Sequence, residues 1–268
     1  MRQGLAQASP QRLRSLMRQG EYRLPTAGLA AGYAQANLVI LKQEMAFDFL
    51  LFCQRNSQAC PVLEVLEAGS FEAKQLAPGS DLRTDLPRYR VFRTGQLVSE
   101  PLDIMEIWQP DWVSFLLGCS FSFEAALMNA GIEMRHISEG RNVPMYVTNI
   151  PCRPAGMFSG PLVVSMRPLV PRDVIKAVEI TSRYPKVHGG PIHIGDPAAI
   201  GIADIHKPDL GEAVTILPGE LPVFWACGCT PQAVVMQTKP DLVITHAPGH
   251  MFVTDVRDSD LEKLGGAG

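Results

Sequence analysis

The chain has 268 residues, of which 46% are hydrophobic and 19% charged, and its 24 basic and 27 acidic residues give a formal net charge of −3. This composition is too apolar for a disordered protein and predicts one large globular domain or two smaller ones. The slight negative charge does not provide the broad basic surface that non-specific nucleic-acid binding needs, so we expect no nucleic-acid partner. No apolar run approaches the roughly 18 to 20 residues that span a bilayer, so we expect no membrane partner either.

The N-terminus and the cysteines indicate where the protein resides. The N-terminus has no apolar segment of the kind that directs secretion. The first twenty residues hold arginines and no acid, as transit peptides do, yet Ser9-Pro10 before Leu13 and Met17 is typical of a capped surface helix, which we favour. The six cysteines are scattered without a repeated spacing, which favours reduced thiols in a cytoplasmic protein over a disulfide framework.

Short strands and helices alternate through the first half of the chain. Strands are predicted at Asn37–Leu41, Pro61–Leu66 and Tyr89–Val98. Helices are predicted from Leu41 to Phe52, where the apolar residues recur at helical spacing, and at Trp112–Gly118 and Phe123–Ala130, with Gly131 as a stop signal.

The middle of the chain contains short strand candidates separated by loops rich in glycine, proline and arginine. The candidates are Ile132–Ile137, Met145–Asn149 and Pro161–Met166, and a helix is predicted at Pro171–Arg183. Strands followed by a covering helix predict a small α+β lobe.

The last quarter predicts a strand at Pro222–Ala226, a helix at Pro231–Thr238 and a strand at Leu242–Thr245. This spacing is typical of a βαβ unit, whose two strands are parallel. We place Asn37–Leu41 in the same sheet. Residues 1–125 and 195–268 then form a main α/β domain with a mixed sheet, and residues 126–194 form the inserted lobe.

The turn after Pro222–Ala226 is a candidate anion site. It contains Gly228, Cys229 and Thr230, of which Thr230 can cap the next helix, and the backbone N–H groups at that helix start are suited to bind an anion. The next strand ends near His246 and His250, and ligands bind beyond the carboxyl ends of parallel strands, so both loops should form one active-site corner. The alternative is a tight turn with histidines bonded to backbone.

Cys227 and Cys229 together with the two histidines could also suggest zinc. However, C-x-C is not the usual ligand spacing, and Pro248-Gly249 prevents the histidines from sharing one helical face. We therefore expect no metal.

Two further polar clusters carry candidate residues. His193 and His206 could bind a ligand or a metal, whereas Asp196-Pro197 between them is typical of a helix start. The central segment holds hydroxyls, amides and arginines suited to recognition of carboxylates, namely Ser120, Ser122, Arg141, Asn142, Asn149 and Arg153. Alternatively, the serines cap the helix near Phe123 and the arginines pair with surface acids.

Several common motifs are absent from the sequence. There is no GxxxxGK[ST] loop, no GxGxxG after a strand, no GxSxG elbow and no HExxH. Nucleotide, hydride-transfer and esterase chemistry therefore have no support, and we expect no cofactor.

Six ordered segments resemble the D-glutamate cyclase family, whose bacterial members usually carry the name "putative hydro-lyase". The segments are Gly118–Glu124, Arg141–Arg153, Val163–Pro168, Gly195–Asp204, Phe224–Gln232 and Thr245–His250. The resemblance covers roughly residues 10 to 256, and Cys229 stands where the family pattern has valine. It implies closure of D-glutamate to 5-oxo-D-proline with loss of water, and a three-layer α/β domain joined to a smaller two-layer α+β one.

Roles for the candidate residues follow from this chemistry. Arg141 and Arg153 would hold the α-carboxylate with help from Asn142 and Asn149, while backbone N–H groups of residues 228–230 would stabilise an oxyanion. His246 or His250 would move the proton, with Asp255 orienting the histidine and Glu124 as an alternative acid.

Two other functions remain open at this point, and a homo-oligomer is possible. One is a non-catalytic binder of small carboxylates in 5-oxoproline metabolism, and the other is a metal-dependent hydrolase.

Overall fold

The computed structural model describes residues 2–264 of the chain, in which helices and strands alternate as an α/β fold, as predicted. The helices are α1 (Arg2–Leu5), α2 (Pro10–Arg18), α3 (Gln43–Arg55), α4 (Phe121–Asn129), α5 (Arg135–Ser138), α6 (Pro171–Ser182), α7 (Thr230–Thr238) and α8 (Asp258–Leu264), with short 3-10 turns at Pro185–Val187 and Pro197–Ile200. The strands are β1 (Tyr33–Lys42), β2 (Val62–Val65), β3 (Tyr89–Arg93), β4 (Gln96–Ser99), β5 (Trp112–Gly118), β6 (Met145–Pro151), β7 (Pro161–Leu169), β8 (His193–Ile194), β9 (Leu221–Ala226), β10 (Leu242–His246) and β11 (Phe252–Arg257).

The N-terminal helix α2 is the capped helix that the sequence predicts. The Ser9 side chain accepts a hydrogen bond from the Arg12 backbone N–H, and Pro10 occupies the first turn. The helix buries Leu13 and Met17. Over residues 2–264, none of the helices combines the length and apolar character that crossing a bilayer requires.

The larger sheet has seven strands in the order β2-β5-β1-β10-β3-β4, with β11 also paired to β1. Its central strand β1 is almost wholly buried because both faces are covered. Val39 and Leu41 face a core shared with α3, in which Phe49 packs edge-on against Phe115 of β5 with ring centroids 4.9 Å apart. Ile40 faces a second core beneath the loops on the opposite side of the sheet.

The smaller sheet has the order β6-β7-β9-β8. One of its faces packs against α6, where Trp225 of β9 donates a hydrogen bond to Thr181 at 3.1 Å. Its other face contributes Val164 and Phe224 to the core that also contains Phe49 of α3. The two sheets are therefore joined through one continuous apolar core.

The predicted βαβ unit is wrong. β9 pairs with β7 and β8 in the smaller sheet, whereas β10 pairs with β1 and β3 in the larger one. All strand pairings among the described residues are antiparallel, so the parallel pair that we expected in a mixed sheet is not found there. Residues 37–41 do share a sheet with the strand at 242–246, as predicted, but not with the strand at 221–226. The division at residues 126 and 195 stays a prediction, although the four-stranded sheet extends beyond it to β9.

Two of the predicted elements are also wrong. Trp112–Gly118 is strand β5 rather than a helix, and all seven of its residues are buried between two covered faces of the sheet. The segment Ile132–Ile137 is not a strand, because residues 132–134 are irregular and the rest belongs to helix α5. The other predicted strands and helices are present, and Tyr89–Val98 is a hairpin that turns at Thr94-Gly95.

Candidate active site

A small buried cavity lies where the ends of β5, β9 and β10 meet. Its lining includes Asn37, Cys119, Ser120, His188, Cys227, Gly228, Cys229, His246 and Gly249. Its volume of about 10 Å³ gives room for about one water molecule. The two loops that we predicted to meet, 226–232 and 245–250, do meet here, although their strands come from different sheets.

Glycine at position 228 allows the β9–α7 turn to approach β1. A Cβ atom on Gly228 would lie only 2.0 Å from the Asn37 amide nitrogen. That amide in turn donates a hydrogen bond to the Gly118 carbonyl at 2.6 Å. Asn37 therefore ties together the three chain segments that form the cavity.

His246 is fully buried at the end of β10. Its Nδ1 lies 3.2 Å from the Leu38 backbone N–H nitrogen and 3.3 Å from the Leu38 carbonyl oxygen, while its Nε2 has no hydrogen-bond partner among the described residues. Burial is the main reason that the pKa of His246 falls to about 4. The ring is therefore neutral near pH 7 and can accept or donate a proton at Nε2, depending on which tautomer Leu38 selects.

His188 is a second buried histidine on this cavity, and the sequence analysis did not single it out as a site residue. Its Nδ1 lies 2.8 Å from the Gln58 carbonyl, and its Nε2 has no partner within the described part of the chain. Burial again lowers its pKa to about 4. His188 has a left-handed backbone with a φ of 83°, which is uncommon for a residue other than glycine.

Three thiols surround the same cavity. The Cys229 backbone N–H approaches the Cys227 sulfur at 3.5 Å, and the hydrogen bonds from Cys229 lower the pKa of Cys227. Burial raises the pKa of Cys119. Cys229 lines the cavity as predicted, and its thiol donates to the Met145 sulfur at 3.5 Å.

The backbone N–H groups at the start of α7 are mostly occupied. The Thr230 N–H donates to the Cys227 carbonyl at 3.0 Å, and the Thr230 hydroxyl donates to the same carbonyl at 2.7 Å. The Cys229 N–H faces the Cys227 sulfur. The prediction that Thr230 caps the helix is wrong, because Thr230 is the first residue of α7 and its hydroxyl is used by the Cys227 carbonyl. Of the three predicted oxyanion donors, only the Gly228 N–H makes no such bond within residues 2–264.

A larger open cleft of about 430 Å³ adjoins the buried cavity. Asn142, Pro248 and Gly249 separate the two, because Asn142 and Pro248 line the cleft and Gly249 lines the cavity. The Asn142 amide nitrogen donates to the Pro248 carbonyl at 2.9 Å, and a Cβ on Gly249 would lie 2.2 Å from Asn142 Oδ1. Asn142 Oδ1 is buried and has no hydrogen-bond partner among the described residues.

The cleft carries charges of both signs. Arg88 and Arg90 lie on one side of it, and Arg90 pairs with Glu100 at 2.6 Å. Arg88 Nε is buried and has no hydrogen-bond partner in the described part of the protein. Asp209 and Glu212 also line the cleft, so both cationic and anionic groups face its interior.

His250 lines this cleft and is half-buried. Its Nδ1 lies 2.9 Å from the Pro248 carbonyl, so this nitrogen carries the proton of the neutral ring. Burial and then the nearby Arg88 lower the pKa of His250, although the carbonyls of Pro248 and Arg23 act in the opposite direction. The ring is therefore mainly neutral at pH 7.

Glu124 lies behind the buried cavity in a charged network. Arg167 donates to Glu124 Oε1 from Nε at 3.0 Å and also from Nη2, and His136 Nε2 lies 3.2 Å from the same oxygen. Burial opposes ionisation of Glu124, but His136 and Arg167 together outweigh it and lower its pKa. Arg167 also donates to Ser120 at 3.0 Å, which fixes that serine at the cavity wall. Glu124 is therefore held ionised, which does not suit a proton donor.

Several predicted site residues lie away from both spaces. The Ser122 hydroxyl accepts a hydrogen bond from the Gln35 backbone at 3.0 Å within the core. Asp255 pairs with Arg14 at 2.9 Å and accepts from Gln11 at 2.7 Å, so it does not orient either histidine. The others are exposed and line neither space, namely Arg141, which bonds the Ala213 carbonyl, Asn149, and Arg153, whose backbone bonds Asn56. Asn149 lies at an exposed position of β6, and Arg141 and Arg153 lie in exposed loops on either side of that strand.

The second histidine cluster does not assemble a site. His193 Nε2 lies 2.7 Å from the Asp196 carbonyl, and His206 is exposed. Asp196 caps the turn at Pro197–Ile200 by accepting from the Ala198 N–H at 3.0 Å, as predicted. No three side chains of His, Cys, Asp or Glu converge as metal ligands within the described residues.

Arg88 and Arg90 were missed by the sequence analysis. Arg88 directly precedes β3 and Arg90 is the second residue of that strand, and alternate residues of an extended chain share one face. Two arginines on one strand face were therefore a readable signal. Asp209 and Glu212 gave no such signal, because they lie in a loop that only the tertiary fold brings to the cleft.

The fold and the cleft define an α/β protein with a site of the size that small charged molecules need. The sequence profile described as D-glutamate cyclase matches residues 113–255. A Geobacillus kaustophilus protein named "Putative hydro-lyase" is 62% identical over 259 residues, which are 97% of this chain and 98% of that protein. "Putative hydro-lyase YcsI" of Bacillus subtilis is 60% identical over 256 residues, which are 96% of this chain and 100% of that one. This chain therefore belongs to the D-glutamate cyclase family, as the resemblance predicted.

Among solved structures, a nitrogen repressor-like protein from Methanococcus jannaschii aligns over 92% of this chain and 96% of its own. The identity is 10% and the TM-score is 0.40. A likeness this weak carries no functional argument.

Proposed function

We propose that this protein is a hydro-lyase that closes D-glutamate, or a related amino dicarboxylate, to 5-oxo-D-proline with loss of water. The observation that carries the proposal is the cleft that holds Arg88 and Arg90 together with Asp209 and Glu212, next to a buried cavity with neutral histidines. Membership of the D-glutamate cyclase family and the names of the relatives support the same reaction class.

The charges of the cleft complement an amino dicarboxylate. Arg88, whose buried Nε still needs an acceptor, can bind one carboxylate through two parallel hydrogen bonds. Arg90 already donates to Glu100 from Nε and to Gln232 from Nη1, so its remaining nitrogen can donate to the second carboxylate. Asp209 and Glu212 can bind the ammonium group. A folded conformer with both ends held brings the amine close to the γ-carboxyl carbon, and such proximity alone lowers a barrier by up to about 7–11 kcal/mol.

The reaction makes one bond, breaks one bond and moves two protons from the ammonium nitrogen to the departing γ-carboxylate oxygen, so no proton is taken up or released overall. The amine nitrogen forms a bond to the γ-carbon, and the bond from that carbon to its hydroxyl oxygen breaks, so that the hydroxyl leaves as water. His250 in the cleft accepts the two protons that the nitrogen loses, one before and one after the N–C bond forms. It returns one of them to the departing oxygen, while His246 supplies the other from Nε2 and recovers it from His250; the buried cavity has the size of the released water.

The charge on the tetrahedral intermediate needs donors close by. In this proposal the Gly228 backbone N–H and the Arg88 guanidinium are the hydrogen-bond donors that stabilise this charge. Asn142 Oδ1 accepts from the substrate amine, which satisfies its unmet hydrogen-bonding capacity.

The direct test is incubation of the purified protein with D-glutamate, L-glutamate and D-aspartate while 5-oxoproline is followed by NMR. We expect turnover of D-glutamate, a loss of at least about 100-fold in Arg88→Met, and little change in Arg172→Met, whose side chain is 85% exposed. A chelator should not change the rate.

Two outcomes would contradict the lyase assignment. Saturable binding of D-glutamate without turnover of any substrate would favour a carrier or sensor of small carboxylates. Loss of activity with a chelator, restored by zinc, would favour a metal-dependent hydrolase.

A further inference from the structure

A third cavity, separate from the proposed active site, lies between α4, the loop 28–32 and the start of α8. Its volume is about 30 Å³. Three polar side chains line it, namely Gln35 of β1, Glu124 of α4 and Asp258 of α8. All three are more than nine-tenths buried, with exposures of 3%, 1% and 8%.

Each of these side chains has one oxygen with no hydrogen-bond partner among the described residues. The three atoms are Gln35 Oε1, Glu124 Oε2 and Asp258 Oδ1. The other polar atoms of Gln35 and Glu124 are engaged, since Gln35 Nε2 donates to the Thr26 and Leu29 carbonyls and Glu124 Oε1 accepts from Arg167. Buried polar atoms are bonded in the great majority of cases, so three such atoms around one cavity indicate a shared ligand.

Burial raises the pKa of Asp258 to about 7, and above that pH all three oxygens are acceptors, which restricts the class of ligand. A single water molecule can donate to only two of the three oxygens, so the third would stay without a partner. A cation needs only acceptors. Oxygen atoms of carboxylates, amides and backbone carbonyls are the ligands that hard cations prefer.

The charge around the cavity indicates a single positive charge. Glu124 is already neutralised by its ion pair with Arg167. Asp258 has no ion-pair partner within the described residues, because the adjacent Arg257 lies over the Tyr33 ring at 3.9 Å. An unpaired buried carboxylate is strongly unfavourable, so one monovalent cation would complete the site.

We propose that this cavity binds an alkali-metal cation, K⁺ or Na⁺, through Gln35 Oε1, Glu124 Oε2 and Asp258 Oδ1. The loop 28–32 lines the same cavity, and its backbone carbonyls would complete the coordination in this proposal. The site also connects to the proposed active site, because Glu124 holds Arg167 and Arg167 holds Ser120 at the buried cavity.

The first test is thermal unfolding of the full chain in choline chloride against KCl and NaCl at equal ionic strength. We expect the Tm to rise saturably with K⁺ or Na⁺, by about 3 °C at ten times Kd. Asp258→Asn should remove this rise. It should still fold, because the new amide can donate to the two remaining oxygens. Asp260→Asn is the matched control, since Asp260 is exposed on the same helix, and should keep the rise.

A second test does not depend on any variant. Crystals of the wild-type protein grown with Rb⁺ or Tl⁺ should give an anomalous peak in the cavity within coordination distance of the three oxygens. The proposal is overturned if no such peak is found and the Tm is the same in all three salts. It is equally overturned if only Ca²⁺ or Mg²⁺ raises the Tm, or if Asp258→Asn retains the full response to K⁺ and Na⁺.

Discussion

Replacement of Arg167 by methionine tests the buried charge network behind the proposed active site. The Arg167 guanidinium bonds Glu124 from two nitrogens, Ser165 at 3.1 Å and Ser120 at 3.0 Å. Arg167, Glu124 and Ser165 are each at most 1% exposed. The substitution keeps much of the apolar stem but removes the permanently charged partner of the Glu124 carboxylate and leaves only His136 beside it.

The expected loss of stability follows from the depth of this ion pair. Removal of one partner of a buried pair costs about 3–5 kcal/mol, because the remaining charge is desolvated and unpaired. The further loss of stability from unfilled space should be small, because methionine packs well into irregular gaps. We therefore expect the free energy of unfolding at pH 7 to fall by about 3–5 kcal/mol in Arg167→Met.

Urea unfolding followed by circular dichroism measures this change, with Arg172→Met as the exposed control and an expected change within about 0.5 kcal/mol. The double variant Glu124→Gln/Arg167→Met should recover a large part of the loss, because it removes both charges. The reasoning would be refuted if the free energy of unfolding of Arg167→Met fell by less than about 1 kcal/mol. It would also be refuted if the loss in the double variant equalled the sum of the losses in Glu124→Gln and Arg167→Met.

Three further predictions concern the site. His246→Gln should lower turnover of D-glutamate by about 10²–10⁴-fold, while its binding of D-glutamate measured by calorimetry changes little. The control His206→Gln, at an exposed position, should turn over D-glutamate as the wild type does. If His246→Gln had the wild-type rate, His246 would have no part in the mechanism. Because the folded pKa values of His188 and His246 are lowered to about 4 from 6.5, the unfolded chain binds more protons between these pH values, and stability should be lost as the pH falls from about 6.5 towards 4. The free energy of unfolding, measured with urea at each pH, should depend less steeply on pH in His246→Gln, by up to about 1.4 kcal/mol per pH unit. An unchanged dependence on pH would show that His246 does not stay neutral in the folded protein. Gly228→Ala should destabilise the protein by about 1–3 kcal/mol because the new Cβ would lie 2.0 Å from the Asn37 amide nitrogen, and Asn37→Ala should relieve part of this cost; a fully stable Gly228→Ala would mean that the turn does not need this close approach.

Local sequence patterns determined most of the elements. Ser9-Pro10 before an apolar stripe set the start of α2, and the apolar run at residues 37–41 set β1, because capping and periodicity act within a few neighbouring residues. The six family segments likewise identified the family from the sequence. The pattern failed at Trp112–Gly118, since a strand buried on both faces shows no alternation that would distinguish it from a buried helix.

The composition of the site depended on contacts between residues far apart in the chain. The sequence analysis placed His246 close to Gly228 by assuming that β9 and β10 are parallel neighbours in one sheet. The two residues do line one cavity, but β9 and β10 belong to different sheets and α7 connects them. It placed Arg141 and Arg153 in the site and omitted Arg88, although all three are arginines beside strands. The packing of the two sheets through their common core determines which face of each strand is covered. It also determines which loops reach the cleft. Strand pairing and sheet packing are long-range interactions that local periodicity does not encode, so only the tertiary structure decided which of the charged residues surround the cleft.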